Sequence, residues 1–116
     1  MKRDMNLIRL LLLKTEGEDP KPDLSAYAPA QCVYHSALLI EAGFVDGVII
    51  PNASGFPAST VCLRLTWAGH EFLDAARNDT IWQKADERIK KSGVDVTISL
   101  MKEILNQLLK QSLGLP

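Results

Sequence analysis

From Asp23 to Leu63 the 116-residue chain contains no lysine or arginine, while Asp23, Glu41 and Asp46 place three negative charges there. Five basic and four acidic residues precede this zone, and eight basic and seven acidic residues follow it. The net charge of −1 therefore conceals an uneven layout. A surface without cations cannot neutralise phosphates, the main source of nonspecific nucleic-acid affinity. Cysteine is equally scarce, at Cys32 and Cys62 only. That number excludes a disulfide scaffold and points to reduced thiols in a cytoplasmic setting. Long apolar runs are missing too: Leu10 to Leu13 is closed off by Arg9 and Lys14, so no membrane association is expected. Met1-Lys2-Arg3 is basic, but no secretory apolar stretch follows it, so export is not expected.

What is present suits one globular domain. Hydrophobic residues make up 47% and charged residues 23%, an ordinary balance for a chain that buries one modest core. The periodicity predicts a helix over Asp4 to Thr15, with Asp4 as N-cap and Gly17 to Pro22 as the loop that ends it. Leu24 to Tyr27 reads as a short extended piece. Pro29 suits the first turn of a second helix that runs to about Ala42 and stops at Gly43. Val48-Ile49-Ile50 and Thr60 to Leu65 read as two strands of a β-hairpin, with a long irregular tip over Pro51 to Ser59. Thr66 is an N-cap for a third helix over Trp67 to about Arg77. Asn78-Asp79-Thr80 either caps a fourth helix or is run through by the third. The last helix is expected from near Thr97 to about Ser112. Trp67 and Trp82 are assigned to the core, as aromatics at this spacing usually are. The expected fold class is α+β, mostly helical, over a single domain 1–116, with its core at about 4–77 and additional C-terminal helices at about 79–113.

The order helix, helix, hairpin, helix is that of a winged-helix domain. His35 to Val45 resembles the end of a recognition helix entering the first wing strand of small bacterial repressors, and Arg64 to Leu73 resembles the segment leaving the wing. A wider resemblance is carried by Met1 to Arg9, Tyr34-His35, Glu41-Ala42-Gly43, Leu65-Thr66-Trp67-Ala68-Gly69-His70-Glu71-Phe72-Leu73-Asp74-Ala75 and Asp79-Thr80-Ile81-Trp82. On these words the chain is similar to an uncharacterised family of short bacterial and phage-borne proteins. That resemblance implies a phage or prophage setting and a winged-helix-like fold, and it implies no catalytic residues.

The chain departs from the repressor pattern in two respects. A helix-turn-helix needs a helix just before the recognition helix, and Pro20 to Ala28 is too short and proline-rich to supply one with its turn. The second helix also carries Ala37 and Ile40 where a DNA reader keeps polar or basic residues. Cys32, His35, Cys62 and His70 match no common zinc spacing, so buried thiols and unrelated histidines are expected, with no metal and no cofactor. Asp74 lies four residues after His70, but no nucleophile motif, phosphate-cradling loop or carboxylate pair accompanies the histidines. They are expected to hydrogen-bond within or beside the core. Lys84, Arg88, Lys90 and Lys91, interleaved with Asp86 and Glu87, read as a solvated face.

The functional expectation is a non-enzymatic regulatory module that binds a host or phage protein through a winged-helix-like scaffold. The alternative is a DNA-binding regulator of winged helix-turn-helix type, with Gln31, Tyr34 and His35 reaching base edges. Gln31, Tyr34, His35 and Ile40 are the candidate binding residues, and Thr66, Trp67, Gly69 and His70 form the structural motif. The C-terminal helix is expected to be either the lid on the core or a self-association surface. A two-fold dimer through it is preferred over a monomer, because its apolar face is wider than one partner surface usually needs.

Overall fold

The computed structural model describes residues 2–116; Met1, the first residue of the resemblance, lies outside them. Five helices and one two-stranded antiparallel sheet make the described chain α+β and mostly helical. They are α1 (Met5–Glu16), α2 (Pro29–Glu41), β1 (Val45–Pro51), β2 (Pro57–Leu65), α3 (Trp67–Ala76), α4 (Asp79–Ser92) and α5 (Ile98–Ser112). The internal contacts fall into two compact units, Met1–Glu71 and Phe72–Pro116, and the boundary lies inside α3.

In the first unit α1 packs on α2 and on β2, and α2 packs on both strands. Asp4 caps α1 as its sequence predicts, its carboxylate accepting the backbone N–H of Asn6 at 2.9 Å and of Leu7 at 3.2 Å. Leu7, Ile8 and Leu12 of α1 are almost wholly buried. Each such side chain stabilises the fold by roughly 1.5–3 kcal/mol. The segment from Gly17 to Ala28 contains no helix and no strand. Leu24 to Tyr27, expected to be extended, is instead a turn in which the Tyr27 N–H donates to the Leu24 carbonyl at 3.0 Å. The neighbouring Asp23 favours this turn, because its side chain takes the Ser25 N–H at 2.9 Å.

Helix α2 ends in a Schellman motif. Gly43 adopts φ +81°, the Gly43 N–H donates to the Ile40 carbonyl, and the Phe44 N–H donates to the Leu39 carbonyl. The chain then enters β1 at once. The hairpin is longer and its tip shorter than expected: β1 includes Pro51, β2 begins at Pro57, and only Asn52 to Phe56 remain outside. Asn52 organises that tip, accepting the N–H groups of Ser54 and Phe56 on its side-chain oxygen.

The register shifts between Asp46↔Arg64 and Gly47↔Cys62, so Leu63 is an extra residue on β2. A bulge of this kind resets the alternation of the strand. Leu65 is buried, yet Val61 and Leu63 are exposed while Cys62 and Thr60 are half-buried. Without the extra residue, strict alternation from Leu65 would turn Leu63 and Val61 inward. Gly47 sits opposite the bulge, where a Cβ would collide with the Val61 carbonyl.

In the second unit α4 packs against α5. Asn78 caps α4 through the Ile81 N–H at 3.0 Å, so α3 and α4 are separate helices. Thr97 caps α5 through the Leu100 N–H at 3.1 Å. Met101, Leu105 and Leu108 of α5 are buried, as are Ile81, Trp82 and Ala85 of α4. Leu100 is exposed, and Ile104 and Leu109 are half-buried.

Candidate functional site

The four candidate binding residues on α2 have different surroundings, and two are occupied by the fold itself. His35 is fully buried. Its Nε2 accepts the backbone N–H of Asp4 at 2.8 Å, and its Nδ1 lies 2.8 Å from the Gln31 carbonyl. A backbone N–H can only donate and a carbonyl can only accept, so the ring is the neutral Nδ1–H tautomer with both nitrogens used. In the fold it ties α2 to the start of α1. Ile40 is half-buried, and its Cδ1 lies over Gly47, packing α2 onto the hairpin. Gln31 is half-buried, and its side-chain oxygen accepts the Ala28 N–H at 2.9 Å, half of a capping box on a helix whose N-cap residue has no oxygen of its own. Tyr34, also half-buried, meets the His35 ring edge-to-face with centroids 5.3 Å apart. No helix precedes α2 within Gly17–Ala28, so the backbone-crossing helix of a helix-turn-helix has no counterpart there.

The motif around α3 divides cleanly into residues that build a joint and residues that face water. Thr66 donates its hydroxyl to the Gly43 carbonyl at 2.5 Å and accepts the Gly69 N–H at 3.1 Å, while its own N–H donates to the Phe44 carbonyl at 3.1 Å. Gly69 is buried against the same Phe44 carbonyl, and a Cβ there would overlap it. These bonds and this close approach fix the start of α3 to the exit of α2. Trp67, assigned to the core, is instead 80% exposed. It is the first residue of α3, and the inward positions of the helix are taken by Gly69, Phe72 and Leu73. His70 is exposed as well, so of the two histidines expected within or beside the core only His35 is buried. Asp74, four residues beyond His70, is bound by Arg77 at 3.1 Å.

A second surface was not singled out from sequence. Val48, Ile50, Phe56, Val61 and Leu63 are all exposed on the hairpin. Val48 and Val61 are direct cross-strand partners, with Ile50 toward the tip and Leu63 toward the base. The only charged residues between Val45 and Leu65 are Asp46 and Arg64, and they pair with each other at 2.9 Å. The sequence signal was the run Val48-Ile49-Ile50, in which alternation must leave two of three branched residues on one face. The phase of β2 could not be read in the same way, because it depends on the bulge at Leu63.

The remaining chemistry is modest. Cys32 and Cys62 are free and half-buried. Among the described residues, no three His, Cys, Asp or Glu side chains are gathered as metal ligands. Cys62 lines a cavity of about 220 Å³ with Leu11, Lys14, Thr15, Ser36 and Thr60. In the second unit, a cleft of about 310 Å³ lies along α4 and α5, bordered by Asn78, Lys84, Leu108 and Gln111. Lys90 pairs with Asp86 at 2.9 Å, in keeping with a solvated charged face. Hydrogen bonds from the Ser25 backbone, and secondarily from its hydroxyl, hold the Asp23 carboxyl below the usual carboxylate range. No helix among the described residues is long and apolar enough to cross a membrane.

Comparison with known proteins adds one relative and one family. A protein of Haemophilus influenzae described as "Uncharacterized protein" is 32% identical over 120 residues, covering 98% of this chain and all of the relative. No solved structure matches. A family model described as "Hypothetical protein (DUF2513)" matches residues 2–95, most of the chain, including α1, the hairpin and the whole α3 motif. The chain belongs to the DUF2513 family.

Proposed function

We propose that this protein is a non-enzymatic regulatory module that binds a protein partner through a winged-helix-like scaffold, with Trp67 as the anchor of the contact. The observation that carries this reading is an indole 80% in water on a helix start tied by Thr66 to Gly43 and Phe44. Tryptophan is among the residues most enriched at interface hot spots, because it offers a large contact area with few rotatable bonds. The order α2, hairpin, α3 supports the scaffold part of the reading. The non-enzymatic part is supported by His35, whose nitrogens are both spent on backbone groups, and by Asp74, which is held by Arg77 rather than by His70. The resemblance to phage-borne proteins favours a host or phage protein as partner.

Affinity capture from a host lysate with wild-type and W67A protein, each with and without nuclease, tests the proposal. A defined protein retained after nuclease and lost with W67A is expected. Recovery of DNA alone, or a partner held equally by W67A, overturns it. In a Trp82→Phe background the remaining indole reports directly, and its emission should shift to the blue when the captured partner is added.

A further inference from the structure

The bulge at Leu63 gives the hairpin an apolar outer face that the other elements of the first unit leave in water. Thr60 and Cys62 turn inward and line a cavity of about 220 Å³, while Val61 (46% exposed) and Leu63 (66%) turn outward beside Val48 and Ile50. Such a phase is the reverse of what burial alone favours, since it places a hydroxyl and a thiol inside and branched aliphatics outside. About half of Val48, Ile50 and Val61 and two thirds of Leu63 and Phe56 lie in solvent. Together the five side chains expose on the order of 400–500 Å² on the hairpin, within the range of the largest apolar patches that monomeric proteins carry.

From this face we infer that the hairpin is a self-association surface, covered in solution by the same face of a second copy. Charge is the first reason. The only two charges on the hairpin, Asp46 and Arg64, neutralise each other across the strands. The face therefore offers no field to attract a basic or acidic partner, and an identical copy meets it without like-charge repulsion. Area is the second reason. Two such faces together supply on the order of 1,000 Å², the lower bound of a specific interface. Shape is the third. Val48 and Val61 are direct partners, with Ile50 and Leu63 diagonally across them, so the four side chains form one compact patch that a copy of itself can meet about a two-fold axis. The argument does not use Trp67, and the inference stands whether or not Trp67 binds a partner.

The test is sedimentation velocity over a range from about 1 to 500 µM, with the full chain and with V61E and V61K. Wild type should pass from one chain mass to two as concentration rises. Each charged variant should remain at one chain mass with an unchanged helical circular-dichroism signal, and an equimolar mixture of the two should regain the doubled mass. Should either variant lose its helical signal, Leu63→Ser replaces both, and a dimer weakened about tenfold or more is expected. A wild type that stays at one chain mass throughout overturns the inference. So does a dimer that survives the substitutions, which would place association elsewhere, or a mixture that fails to reassociate.

Discussion

The backbone N–H of Asp4 donates to Nε2 of His35 at 2.8 Å, joining residues thirty-one positions apart. The same Asp4 caps α1 with its carboxylate, so one histidine on α2 fixes where and how the first helix begins. A buried polar side chain of this kind is satisfied only if both elements are correctly placed, which couples helix packing to helix capping. His35→Phe keeps the ring and removes both bonds. Its expected cost is about 2 kcal/mol, from one partly buried donor left unmet and one lost bond. Urea unfolding monitored by circular dichroism measures it, and a change below about 0.5 kcal/mol would show that the bridge contributes nothing beyond ring packing.

Helix α2 starts without a side-chain cap, its N-cap position being Ala28 in extended conformation. Ala28→Ser or Ala28→Asp should therefore stabilise the protein by about 0.5–2 kcal/mol. A raised denaturation midpoint with an unchanged m-value is the expected readout. No gain would mean that Gln31, which already takes the Ala28 N–H, leaves a cap nothing further to do.

Gly69 inverts an ordinary rule. Alanine normally stabilises a helix relative to glycine by roughly 1 kcal/mol. Here the added Cβ would overlap the Phe44 carbonyl, so Gly69→Ala should destabilise by about 1–3 kcal/mol. Thr66→Val removes the cap and the bond to Gly43 together and should cost a similar amount. Thermal denaturation of the two variants and the double variant reads the coupling, since neighbours in one joint are not additive. A stabilised Gly69→Ala protein would refute the close approach.

Trp67→Ala should leave stability within about 0.5 kcal/mol, because an exposed side chain has little burial to lose. Trp82→Ala, by contrast, should cost about 3–5 kcal/mol. Comparable losses in the two variants would mean that Trp67 is covered in the folded protein.

Asp23 should titrate below the usual carboxylate range in carboxyl-carbon NMR. Ser25→Ala should restore only part of the shift, since the backbone N–H of residue 25 makes the larger contribution. A lowered folded-state pKa stabilises above the unfolded value, and that contribution is lost as pH falls through the folded one. The loss is therefore confined to acid conditions, and an unshifted Asp23 would mean that the turn is not held in solution.

The local code of this chain was largely readable before its structure. Asp4, Thr66 and Thr97 announce helix starts because their side-chain oxygens suit unpaired N–H groups, and Gly43 announces a stop because φ +81° suits glycine. Pro29 and the run Val48-Ile49-Ile50 placed α2 and β1 for similarly local reasons. Position in space was not local. The exposure of Trp67, the burial of His35 and the use of Ile40 as packing each depend on residues far along the chain: Phe44 under Gly69, Asp4 above His35, Gly47 beneath Ile40. The hairpin face turns on a single unpaired residue. Leu63 bulges because β2 carries one residue more than β1 at that point, and only the pairing of the strands reveals which residue is extra. The sequence alone determined which segments coil, extend and turn, because propensity and capping act within a few residues. Only the tertiary structure decided which side chains meet water, because burial belongs to the surface that the rest of the chain brings against each one.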